Sequence, residues 1–108
     1  MKLQSEPFIK IKNGSKSIEI RLNDEKRQLL KVGDDIEFSL LSDPTQTVKT
    51  KVLELLKYKT FKDLFNAFPF EVFGSETKED LNGIYQYYST EEESRWGVLG
   101  IRVERYNI

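Results

Sequence analysis

The chain has no histidine and no cysteine among its 108 residues. Zinc sites of the usual Cys/His kind are thereby excluded, as are Ser-His-Asp and Cys-His nucleophile systems. Without cysteine there is no disulfide framework to suggest secretion. Nor is there an apolar run approaching the roughly 18 residues that span a bilayer. The opening Met1-Lys2-Leu3-Gln4-Ser5-Glu6 lacks the apolar core of a signal peptide. A cytoplasmic protein with no membrane association is expected. Any acid–base chemistry falls to Lys, Glu, Asp or Tyr, with Ser or Thr as the available nucleophiles. No metal and no cofactor is called for by these residues.

Apolar residues at 38% and charged residues at 32% mark a globular chain, and its length predicts a single domain over 1–108. The net charge of −1 hides an asymmetry. Residues 1–33 carry eight Lys or Arg against four acids, a net of +4, and the remainder carries nine against fourteen, a net of −5. A non-specific duplex binder needs a basic domain to neutralise phosphates. Contact with nucleic acid is therefore expected to be local, on the N-terminal basic part.

The segment Gly14-Ser15-Lys16-Ser17-Ile18-Glu19-Ile20-Arg21 concentrates that part. Alternation at period two sends Ile18, Ile20 and Leu22 to one face and Glu19 and Arg21 to the other, and the glycine turn frees Lys16 to join them. Two readings follow. The three charges form a recognition site in which the cations grip a phosphate and the carboxylate accepts from a base amino group. Alternatively they form a solvated edge with a Glu19–Arg21 or Glu19–Lys16 ion pair pinning the turn. A carboxylate between two cations should have a lowered pKa, which suits pairing better than proton abstraction.

Phe8-Ile9-Lys10-Ile11-Lys12 alternates and is followed by Asn13-Gly14, which predicts a hairpin with a strand over Ser17–Leu22. A short helical turn is expected at Gln28-Leu29-Leu30, and a strand over Asp35–Leu41 broken by Ser42-Asp43-Pro44-Thr45. Gln46–Tyr58 reads as a long strand, with Leu53-Glu54-Leu55-Leu56 ambiguous. Thr60 and Asp63 have capping-box spacing ahead of Phe61, Leu64, Phe65 and Phe68, a core stripe ended by Pro69. Thr77-Lys78-Glu79-Asp80 opens a second helix whose Leu81, Ile84, Tyr85 and Tyr88 face the core at helical spacing. Tyr87 falls off that stripe and is the tyrosine expected to be exposed, free to stack on a base. Trp96 is left open between the two roles. Ser89 opens a third helix closed by Gly97, with Glu91-Glu92-Glu93 as its solvated start. Val98–Tyr106 is a closing strand. Strands at both ends with helices between predict an α+β protein whose sheet curls into a barrel.

Gly14-x-Lys16-x-x-Glu19-x-Arg21 resembles the motif of the ASCH domain. So do Lys31-Val32-Gly33-Asp34-Asp35-Ile36-Glu37-Phe38, the insert with Phe73-Gly74, Tyr87-Tyr88-Ser89 and Gly97-Val98-Leu99-Gly100-Ile101, in that order. The resemblance covers about Phe8 to Glu104. It implies a small PUA-like mixed β-barrel with two to three short helices, and a cleft lined by the motif that takes RNA or a nucleotide-like small molecule. The implied ligand-binding residues are Gly14, Lys16, Glu19 and Arg21, joined by Tyr87. Some members are amidohydrolases that remove an acyl group from N4-acylated cytidine, and their catalytic lysine falls on Lys16. Their catalytic threonine falls on Glu19, and a glutamate does not replace a hydroxyl nucleophile. The expectation is a binding domain, with the amidohydrolase as the alternative.

Overall fold

The computed structural model describes residues 1–106, so the last two positions of the expected span lie outside the described residues. Five strands form one mixed sheet. They are β1 (Lys2–Leu3), β2 (Ile18–Leu22), β3 (Asp35–Leu40), β4 (Asp43–Tyr58) and β5 (Val98–Arg105), in spatial order β1-β3-β4-β5-β2. β1 runs parallel to β3 and the other pairings are antiparallel. The edge strands β1 and β2 meet through a side chain: the Arg21 guanidinium donates to the Lys2 carbonyl at 3.0 Å. The sheet is thus a curled, barrel-like α+β architecture, as expected.

Both faces of the sheet are covered. Leu99, Ile101 and Val103 of β5 pack with Phe38, Phe8 and Ile11 in one cluster. Ile18, Leu22 and Val98 pack on the other face with Phe61, Leu64, Phe65 and Phe73. Gly100 admits this second layer, because a Cβ there would stand 3.0 Å from Leu64 Cδ1. Helix α2 (Phe61–Ala67) starts as its sequence predicts, with the Thr60 hydroxyl accepting from Asp63 N at 3.0 Å. Helix α3 (Thr90–Trp96) carries a full capping box on Ser89 and Glu92, and Gly97 follows it. Trp96 packs against the second cluster, with Arg95 stacked 4.9 Å from its ring centre.

The hairpin expected from Phe8 onward does not form. Residues Ser5–Lys12 are helix α1, closed by the Asn13 amide donating to the Ile9 carbonyl at 2.9 Å and the Gly14 amide donating to the Ile11 carbonyl at 3.2 Å. Five alternating residues fit either period. Burial decides, since Phe8 and Ile11, three apart, are inside while Ile9 is out. Pro7 is tolerated in the first turn, where its missing N–H would have no partner. Glu6 pairs with Lys10 at 2.8 Å one turn on.

Other boundaries shift. β4 begins at Asp43, which pairs with Leu40, so Ser42-Asp43-Pro44-Thr45 does not separate two strands by a break of its own length. The ambiguous Leu53–Leu56 stretch is strand, with a bulge between Val52 and Glu54. The stretch after Thr77 is a 3-10 segment, Glu79–Gln86, rather than an α-helix. Leu81 is buried and Ile84 and Tyr88 are partly so, but Tyr85 is exposed on one side. Glu93 is buried rather than solvated, accepting from Phe61 N and the Tyr85 hydroxyl, each at 2.8 Å.

Candidate functional site

Residues 16–21 enter the site from β2. Glu19 lies opposite Ile101 and Arg21 opposite Leu99, so both side chains share the face of the first core cluster. That face is covered by α1 and β1, which places Glu19 at 4% exposure and Lys16 at 9%. The solvated-edge reading therefore fails for both residues, although the ion pairs it named are present. Glu19 Oε1 takes Lys16 Nζ at 3.0 Å and the Ile20 amide at 3.0 Å. Its Oε2 takes Arg21 Nε at 3.1 Å and NH2 at 2.9 Å. Burial pushes the Glu19 carboxyl up, but Lys16, Arg21 and the hydrogen bonds outweigh it, and the net displacement is below the ordinary glutamate value.

Lys16 is held by α1 and the Gly74 turn. Its amide donates to the Lys10 carbonyl at 3.0 Å, and Lys10 Nζ donates to the Gly74 carbonyl at 2.6 Å. Gly74 follows the 3-10 turn Phe70–Phe73 in the left-handed region, φ +80, and a Cβ there would stand 3.0 Å from Lys16 Cβ. Glycine suits this position twice, for its backbone angle and for the close approach of the lysine stem. Lys10 and Gly74 were not legible as site residues. Lys10 lay in the presumed strand, and its contact with Gly74 spans 64 positions.

Lys16, Glu19 and Arg21 together line a cavity of about 480 Å³. Phe65, Phe73 and Leu81 add apolar wall, Ser75 a hydroxyl, and Ile84, Tyr87 and Tyr88 further wall. Glu6 and Asp80 stand on its exposed rim. Tyr87 is 66% exposed, as its position off the stripe predicts. Burial raises the Tyr88 phenol, with the nearby Arg21 opposing. Gly14 does not line this cavity. It sits at the turn after α1 with φ +86, against the Arg105 guanidinium, which donates to the Lys12 carbonyl. Its role there is to turn the chain. The described residues hold no group of three or more carboxylates, histidines or cysteines able to bind a metal ion. None of their helices is long and apolar enough to cross a membrane.

The volume is that of a small-molecule site, apolar-walled with a few convergent polar groups. Its charged floor can orient a polar ligand, and its rim carries an exposed aromatic ring.

Solved structures share this architecture. Hypothetical protein PH0355 is 33% identical, with a TM-score of 0.83 over 98% of this chain and 96% of that one. Protein PF0455 from Pyrococcus furiosus is 31% identical, with a TM-score of 0.74 over 100% and 96%. At 13% identity a mutant of ZmASCH from Zymomonas mobilis shares the fold alone, with a TM-score of 0.68 over 99% of this chain and 71% of that one. No curated protein matches. The ASCH domain model matches residues 1–106, which includes every residue of the cavity and its charged floor. The chain belongs to the ASCH domain family.

Proposed function

We propose that the domain binds a nucleotide-like ligand, free or as one unit of RNA, in the cavity floored by Lys16, Glu19 and Arg21. One observation carries the reading: a nucleoside-sized cavity is lined both by the buried Lys16–Glu19–Arg21 cluster and by the exposed Tyr87 ring. An aromatic ring at the mouth stacks any base, and cations inside take oxygen acceptors. Burial of Lys16 and Glu19 at the cavity floor favours a single unit over a polymer lying along a groove. Fluorescence anisotropy with short single-stranded RNAs and competing mononucleotides tests this. Tyr87→Ala should weaken binding by about 1–3 kcal/mol, the range for one stacked base, without moving the melting temperature. Unchanged affinity in this variant, or no binding by wild type, removes the reading.

Amide hydrolysis of a modified nucleoside, such as an N4-acylated cytidine, is supported by one feature. Ser75 brings a hydroxyl to the cavity that Lys16 also lines. Against it, the Lys16 ammonium is paired with Glu19 and not free to act as a base. A panel of N-acylated nucleosides, incubated with wild type and with Lys16→Ala and Ser75→Ala, separates the cases. Turnover lost in both variants supports hydrolysis, and no turnover by wild type removes it.

A further inference from the structure

Resting on the reading of the cavity as a nucleotide site, we propose that its floor takes a terminal phosphate. Nucleoside monophosphates and phosphorylated RNA ends should then bind in preference to nucleosides and internal phosphodiesters. The argument begins with what Glu19 has left to offer. Its two oxygens already accept from Lys16 Nζ, Ile20 N, Arg21 Nε and Arg21 NH2, all within 3.1 Å. A carboxylate with about four lone-pair sites is filled by these contacts. No acceptor remains at the floor for an exocyclic amine, so the carboxylate orients the two cations and does not read a base.

What remains unspent is donors. An ammonium group carries more N–H bonds than the one contact with Glu19 uses, and the outer Arg21 nitrogen NH1 has none of the hydrogen bonds made by Nε and NH2. The three charges sum to one surplus positive charge in a place with little water, since Lys16 and Glu19 are buried. An uncompensated buried charge is costly, and an anion is its complement. Phosphate supplies several acceptor oxygens in a geometry that guanidinium and ammonium donors match.

Burial restricts that phosphate to a chain end. Lys16 and Glu19 lie beneath the surface, against α1 and the Phe70–Gly74 turn, so a terminal phosphate reaches them on one ester arm where an internal phosphodiester must return on a second. The base is then left at the exposed Tyr87 ring.

Isothermal titration at fixed salt can decide this with four kinds of probe: nucleoside 5′-monophosphates, the same nucleosides, and dinucleotides with and without a 5′-phosphate. Monophosphates should bind at least about tenfold tighter than their nucleosides, the effect of one charge-assisted contact. The phosphorylated dinucleotide should follow the monophosphate if RNA ends are accepted, and only monophosphates should bind tightly if they are not. Lys16→Met should bring nucleotide and nucleoside affinities together. The wild-type ratio decides even should that variant misfold. Nucleosides binding as tightly as monophosphates, or the unphosphorylated dinucleotide matching the phosphorylated one, overturns the phosphate assignment and leaves the nucleotide reading standing. If nothing binds, both fall.

Discussion

At position 19 a buried carboxylate satisfies two cations, and removing it leaves Lys16 without its ion pair and Arg21 with the Lys2 carbonyl alone. Glu19→Gln keeps the volume and deletes the charge, and should cost about 3 kcal/mol, as other broken buried pairs do. A lowered urea midpoint with an unchanged slope would show it. The same residue sets a pH dependence. Its pKa in the folded protein lies below the ordinary 4.5, so folding favours the charged form. That stabilisation is complete above pH 4.5 and is lost as pH falls through the lower folded value. The difference between wild type and Glu19→Gln should therefore narrow below pH 4.5. A gap constant with pH would contradict the ion-pair account. The motif itself was legible because it is local: period-two parity joins Glu19 to Arg21, and the preceding turn adds Lys16. Its burial was not, because the cover comes from α1 and β1, which the sequence alone did not place there.

Among the elements, the cavity wall formed by Glu79–Gln86 depends on α3. Glu93 joins Tyr85, which backs that segment without lining the cavity itself, to the first amide of α2, while Tyr85 stands edge-on to Phe61 and Tyr88 stacks on it. Burial and the Glu93 carboxylate push the Tyr85 phenol up to about 12. The protonated phenol is the form folding favours, so its contribution is complete below the ordinary value of 10 and lost as pH rises towards 12. A tyrosine absorbance titration should lose its highest-pH step in Tyr85→Phe, and retention of that step would contradict the contact. Strands and capped helices were largely readable. Thr60, Ser89 and Gly97 do what their positions predict. The failures lie where short periodicity is ambiguous, as in Phe8–Lys12, or where one acid of a charged run turns inward, as Glu93 does.

Across the whole molecule, the seam between the sheet edges and the proposed ligand site use the same side chain. Arg21 spans the sheet edges to the Lys2 carbonyl while holding Glu19. The N-terminal surplus of bases gains meaning here, since Lys10, Lys16 and Arg21 serve this seam. Sequence could indicate the architecture and half of the cavity. The other half, Gly74 to Tyr88, arrives through contacts far apart in the chain, for which no local pattern exists. The claim that the motif floors a nucleotide site is tested most directly by a backbone amide NMR titration with nucleoside 5′-monophosphates. Saturable shifts should gather at residues 16–21, 74–75 and 84–88, with β3 and the outer half of β4 unmoved. Shifts confined to β3 and β4, or no saturable shift at all, would contradict it.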